Sequence, residues 1–171
     1  GTWIDDNSSG ALTGGIFDAS INGVGVYTFS YVAELSGCLN DTNQVSVQVI
    51  PSPTVEITTT LINICNNQTL ALASSAENYA SVLWSSSGSG ILLDSDQLTT
   101  EYIIGAGDVL DGDITFSIEA FGEEGCIVAT DEITITVLDT PNSNAGEDDS
   151  SCGLTYTLEG IESVGQITWT G

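Results

Sequence analysis

The chain has 171 residues, of which 24 are Asp or Glu and none is Lys, Arg or His, so its formal charge is −24. No carboxylate has a basic side chain to pair with, whereas an ordinary domain is about a quarter charged with both signs present. Phosphate neutralisation on nucleic acid and attraction to anionic lipid both need Lys or Arg and are excluded, and a Ser–His–Asp or Cys–His catalytic arrangement lacks its histidine.

Apolar residues make up 41% of the chain, rich in Val, Ile and Leu, which is enough for a core and unlike a disordered acidic tail. No apolar run approaches the roughly 18 residues of a spanning helix, so direct membrane insertion is not expected. The sequence starts at Gly1 without an initiator Met or a signal peptide, which reads as an excerpt or a processed product.

In chain order, Trp3 comes first, and then Tyr27, Phe29 and Tyr31 alternate with polar residues. This period of two marks a strand with one apolar face. Val45, Val47 and Val49 repeat the pattern after the Gly-Cys at 37–38, and the run ends in "VIPSPT" (49–54). Further strand candidates are 54–60, 69–73, 81–85 around Trp84, and 99–104. "IIGAGDVL" (103–110) hints at a helical turn. Ile114, Phe116 and Ile118 alternate next, and Ile133, Ile135 and Val137 follow the Gly-Cys at 125–126. Turn signals stand at 87–90, 111–112 and 122–125.

The chain repeats itself. Cys38 and Cys126 lie 88 positions apart, as do Val45 and Ile133, Val47 and Ile135, and Pro53 and Pro141. "YTFS" at 27–30 returns as "ITFS" at 114–117, and a third copy opens where Pro141 to Cys152 echoes Pro53 to Cys65. Trp169 follows Cys152 much as Trp84 follows Cys65. An internal period organises everything else. It predicts the C-terminal part of one repeat at 1–50, a complete repeat at 51–139 and the N-terminal part of the next at 140–171.

Four cysteines with no C-x-x-C pair and no His point to disulfides and an exported protein, not to zinc. Three pairings are open in principle. The repeat favours Cys65 with Cys126, the early and late cysteines of the complete unit. That leaves Cys38 and Cys152 to partners outside this sequence or in a neighbouring subunit. About seven short strands, a central Trp84 and such a cysteine pair predict an all-β chain of tandem immunoglobulin-like β-sandwich repeats, disulfide-stapled, with Trp84 packed over the bridge.

"GTWIDDNSSGALTGGIFDASINGVGVYTFSYV…GC" and "PNSNAGEDDSSCGLTYTLEG…ITWTG" resemble the Ig-like or PKD-like repeats of giant Bacteroidota surface proteins. That class includes gliding-motility adhesins and other cargo of the type IX secretion route. The middle unit departs from the pattern, with "WSSSGSGILL" and no G-x-G-x-Y before "ITFS". The resemblance implies an extracellular, cell-surface stalk, filament or adhesin whose partners are neighbouring repeats.

Among chemical sites, calcium fits the composition best, because it takes six to eight oxygen ligands from Asp, Glu, Asn and carbonyls. Asn144, Glu147, Asp148 and Asp149 gather such ligands at a repeat junction. Asp5, Asp6 and Asn7 form a second cluster, and Asp108, Asp111 and Asp113 a third; against all three stands their reading as polar turn residues. Carboxylate pairs such as Asp94/Asp96 and Glu123/Glu124 sit in turn-like segments without a pocket signal, so no enzyme is expected. The N-x-[ST] matches at Asn7, Asn40 and Asn67 read as chance.

The sequence thus predicts a structural repeat segment. Its alternative is a calcium-dependent module for a surface glycan or other ligand, which a solvent-facing aromatic cluster would favour. Head-to-tail strand exchange between the two partial repeats is a further possibility, with an excerpt of a longer array the simpler account.

Overall fold

The alternation read from the sequence becomes strands throughout a computed structural model that describes residues 1–153, 155–162, 164 and 168. The chain divides into two compact units, Gly1–Ser52 and Pro53–Gly171. No helix among the described residues is long and apolar enough to cross a membrane.

The first unit contains β1 (Thr2–Asp5), β2 (Leu12–Thr13), β3 (Ile16–Phe17), β4 (Gly25–Ala33) and β5 (Asp41–Val49). β4 pairs antiparallel with β1 on one side and β5 on the other. β2 and β3 form a hairpin closed by Gly14 and Gly15, both at positive φ (58° and 87°). A tight two-residue hairpin turn demands that conformation, and glycine adopts it without a Cβ clash.

The second unit opens with β6 (Thr54–Ile57), β7 (Asn63–Cys65), β8 (Thr69–Glu77), β9 (Ser81–Ser86), β10 (Ile91–Leu93) and β11 (Thr99–Ile103). α1 (Ala106–Asp111), β12 (Asp113–Phe121) and β13 (Ala129–Leu138) follow. Two four-stranded sheets result, in the orders β10-β11-β8-β6 and β7-β13-β12-β9. Their inner faces share one core: Leu70, Leu72 and Tyr102 from the first meet Trp84, Phe116 and Ile135 from the second. Tyr102 meets Phe116 edge-on at 4.9 Å between ring centroids. Each large side chain so buried stabilises the sandwich by about 1.5–3 kcal/mol.

The predicted strand at 54–60 stops at Ile57. Thr58 and Thr59 both donate their N–H groups to the Ala73 carbonyl, at 2.8 and 3.3 Å. The chain then leaves that sheet and joins the other as β7, parallel to β13. β7, β10 and the β2–β3 hairpin are too short to show a period, and alternation does not reveal them. Beyond the sandwich, β14 (Ser143–Asn144) and β15 (Ile161–Glu162) form a two-stranded ladder. Trp169 lies outside the described residues.

The expected Cys65–Cys126 staple is corrected. Cys65 ends β7 level with Leu138, the last residue of β13. Cys126 lies in the turn that precedes β13, beside Gly122 and Pro53. The ten residues of β13 separate the two positions, about 30 Å at 3.3 Å per residue. A disulfide needs Cα atoms within about 7 Å. No two of the four cysteines are bonded to each other, and Trp84 is held by the core and by donating its indole N–H to the Gln97 carbonyl at 3.0 Å.

Candidate functional site

The third predicted acidic cluster dissolves into structure. Asp108 is fully buried in α1, while Asp111 and Asp113 are exposed. The Asp108 carboxylate accepts from the Tyr102 hydroxyl (2.8 Å), the Gly105 N–H (2.7 Å), the Ser89 hydroxyl (3.0 Å) and the Ser89 N–H. Burial pushes its pKa up, but the hydrogen bonds from Ser89, Gly105 and Tyr102 outweigh burial and hold it below the ordinary 3.8. Burial and the bond to Asp108 raise the Tyr102 phenol in turn. With no cation in the sequence to neutralise it, a buried carboxylate is kept by donors alone. Asp113 accepts from the Thr136 hydroxyl at 2.7 Å.

The cluster at 5–7 is also a fastening. Asp6 accepts from the Ser30 hydroxyl (2.8 Å) and the Gln44 amide (2.9 Å), and Asn7 from the Thr28 N–H (2.6 Å). Asp5 accepts from the Ser9 hydroxyl (2.7 Å) and the Gly10 N–H (3.0 Å), and the Ser9 bond leads the effects that lower its pKa. Asn144, Glu147, Asp148 and Asp149 are exposed. Asn144 accepts from the Gly146 N–H at 2.9 Å, and Asp149 from the Ser150 N–H (2.7 Å) and the Tyr156 hydroxyl (3.0 Å). Among the described residues, no three acids or thiols converge to hold a metal ion. Asp94, Asp96, Glu123 and Glu124 are exposed in turns.

The surface feature that sequence reasoning missed is apolar. In the first unit Trp3 lies opposite Tyr31, Asp5 opposite Phe29, Phe29 opposite Val45 and Tyr27 opposite Val47. In the second unit Trp84 lies opposite Ile118, Ser86 opposite Phe116, Phe116 opposite Ile133 and Ile114 opposite Ile135. These are the same pairings, residue for residue. The likeness extends to Phe17 of β3, whose ring meets that of Phe29 at 4.9 Å between centroids, the same distance as Tyr102 of β11 from Phe116.

Burial separates the copies. Trp84, Ile118 and Ile135 are 2%, 0% and 0% exposed, whereas Trp3, Tyr31, Val45 and Val47 are 41%, 39%, 45% and 37% exposed. Trp3 and Tyr31 pack together at 5.0 Å and present their rings on this face. The signal lies in the repeat itself. Residues 1–50 pair as the late strands of the second unit do, and on this face Phe29, packed by Phe17, is buried at 3%.

No protein-family model matches the chain, and no curated protein matches it. Among solved structures, the chain is similar to the fibronectin(III)-like modules of Clostridium thermocellum CbhA, at 24% identity over 68% of this chain and 64% of that one, with a TM-score of 0.42. It is also similar to extracellular cadherin domains 3–6 of protocadherin gamma B2, at 13% identity over 74% of this chain and 33% of that one, with a TM-score of 0.39. The chain spans less than two thirds of the length of either.

Proposed function

We propose that the chain is a structural repeat segment of an extracellular stalk, filament or adhesin on a bacterial cell surface. One observation carries the reading: the complete sandwich takes the chain in at one pole and releases it at the other. Pro53, beside Gly122 and Cys126, marks the entry, and Leu138, at the far end of β13, marks the exit. Successive units of that kind add length, roughly 35 Å for a sandwich with strands of about ten residues. The packed core gives the unit stiffness and the acidic surface keeps neighbours apart. Small-angle scattering on arrays of one to four copies of 51–139 tests this. A maximum dimension that grows by about 35 Å per copy supports a spacer, and one that does not grow sinks it.

The alternative is a calcium-dependent module for a surface glycan. The exposed Trp3–Tyr31 pair favours it, since an aromatic face can stack on a sugar. Its calcium would fall to Asn144, Glu147, Asp148 and Asp149. A calcium-induced rise in Tm that Asp148→Asn with Asp149→Asn abolishes would support that ion. Quenching of Trp3 fluorescence by an oligosaccharide would support the sugar.

A further inference from the structure

We infer that the first unit carries the site of a self-forming ester crosslink, in which the Ser30 hydroxyl attacks the Gln44 carboxamide, Asp6 moves the proton and ammonia leaves. Three strands bring these groups together. Ser30 of β4 lies directly opposite Gln44 of β5 and, on its other side, opposite Ile4 of β1, and Asp6 follows two residues after Ile4. Ser30 is only 8% exposed, and its hydroxyl donates to Asp6 Oδ2 at 2.8 Å. Gln44 Nε2 donates to the same oxygen at 2.9 Å and lies 3.5 Å from Ser30 Oγ.

Each group suits its part. A serine hydroxyl is a weak nucleophile until a base within hydrogen-bond reach takes its proton. Asp6 is that base, and the chain has no Lys, Arg or His to occupy it in an ion pair. As an Oγ electron pair forms the bond to Gln44 Cδ, the hydroxyl proton passes to Asp6 Oδ2. The same oxygen faces Nε2, so it returns the proton to that nitrogen as the Cδ–Nε2 bond breaks. One C–O bond replaces one C–N bond, ammonia departs, Asp6 is ionised again, and nothing is oxidised or reduced. Holding the alcohol beside the amide on paired strands supplies the effective concentration that the two lack in solution. Asp6 and Gln44 are exposed, which leaves the ammonia a path out.

The second unit holds the matching positions without the chemistry. Ser117 lies opposite Glu132 as Ser30 lies opposite Gln44, and its hydroxyl donates to the Glu132 carboxylate at 2.9 Å. Ser87 stands where Asp6 does: Asp6 donates its N–H to the Thr28 carbonyl, and Ser87 donates its own to the Thr115 carbonyl. A carboxylate has no ammonia to release, its charge repels a nucleophile, and a serine at 87 is no base. The paired strands are the same in both units; hydroxyl, carboxamide and carboxylate meet in the first.

The ester ties β4 to β5 across the link at 34–40, a covalent staple that no reductant opens. It goes beyond the reading as a spacer, and the two fail separately. Scattering on copies of 51–139, which contain none of the three residues, leaves the ester untouched, and a missing ester leaves the spacer standing.

The test is intact-mass spectrometry of the full chain, reduced, followed by peptide mapping. The expected mass is that of the sequence less one ammonia, with the peptides bearing Ser30 and Gln44 joined and the Ser117 and Glu132 peptides separate. Hydroxylamine, which cleaves esters, should release the joined pair. Ser30→Ala and Gln44→Glu should each show the full mass of their own sequence. Asp6→Asn should leave most of the freshly purified chain unreacted, since losing a general base slows such a step by about 100-fold or more. The inference is overturned by a wild-type chain that keeps its full mass through prolonged incubation at neutral pH. It is overturned equally by a loss of ammonia that survives Ser30→Ala, as ring closure at Asn22-Gly23 would, or by an Asp6→Asn chain that reacts as fully as wild type.

Discussion

Asp108 shows how far one residue's meaning depends on distant partners. In the sequence it belongs to an acidic group with Asp111 and Asp113; in the fold it is a buried acceptor for Ser89, nineteen positions earlier, and for Tyr102. No local pattern announces that. Asp108→Asn should destabilise the second unit by about 2–4 kcal/mol in urea unfolding at pH 7, because an amide turns one acceptor into a donor among donors. Tyr102→Phe should cost about 1–3 kcal/mol, since the Gly90 N–H loses its acceptor and Asp108 a donor. The pH dependence has a definite sign. The folded pKa of Asp108 lies below 3.8, so its contribution is complete above that value and is lost as pH falls through the folded pKa. The gap between wild type and Asp108→Asn should narrow as pH falls below 3.8, and a gap that stays constant down to the acid limit of folding would remove Asp108 from the account.

Among elements, the long strands are legible because each alternates over four or more positions, and β4, β5, β12 and β13 all appear where the period of two places them. The turn signal at 87–90 is legible as a turn and silent about its purpose. A Cβ on Gly90 would run into the Ile103 carbonyl and the Tyr102 ring, so glycine there lets this link pass against β11. Gly90→Ala is expected to cost about 3 kcal/mol or more, because the obstacle is backbone and cannot rotate away. An unchanged denaturation midpoint would show that the link has room to shift. The cysteine staple fails at this scale. A repeat gives the spacing of two cysteines along the chain, and their separation in space follows from which end of β13 each one reaches, which spacing does not encode.

Across the whole molecule the strongest influence is charge of one sign. Side chains that are all anionic repel at every separation, and the compact state gathers them closer than the unfolded chain does. Added NaCl should therefore raise Tm, by several degrees between about 0.01 M and about 1 M, as the screening length falls from about 30 Å to about 3 Å. A protein held by exposed ion pairs shows the opposite slope. A melting series in NaCl checks this, and a flat or falling Tm would mean that bound cations already neutralise the surface. The division of the chain after Ser52 falls where the repeat puts its first boundary. The aromatic face stays hidden in the sequence because Trp3, Tyr27, Phe29 and Tyr31 spell a core, and only structure separates the buried Phe29 from the part-exposed Trp3 and Tyr31.

The free thiols at opposite poles of the sandwich give it the character of a difunctional monomer in step-growth polymerisation. Oxidation cannot close a ring inside one unit, so each bond that forms lengthens a chain of molecules, and a thiol-capping reagent acts as a chain stopper. With Cys38→Ser and Cys152→Ser removing the other two thiols, a mild oxidant should turn the protein into a ladder on a non-reducing gel. A compact, fast-migrating monomer would be the product of an internal bridge, and the roughly 30 Å between the ends of β13 leaves no route to it.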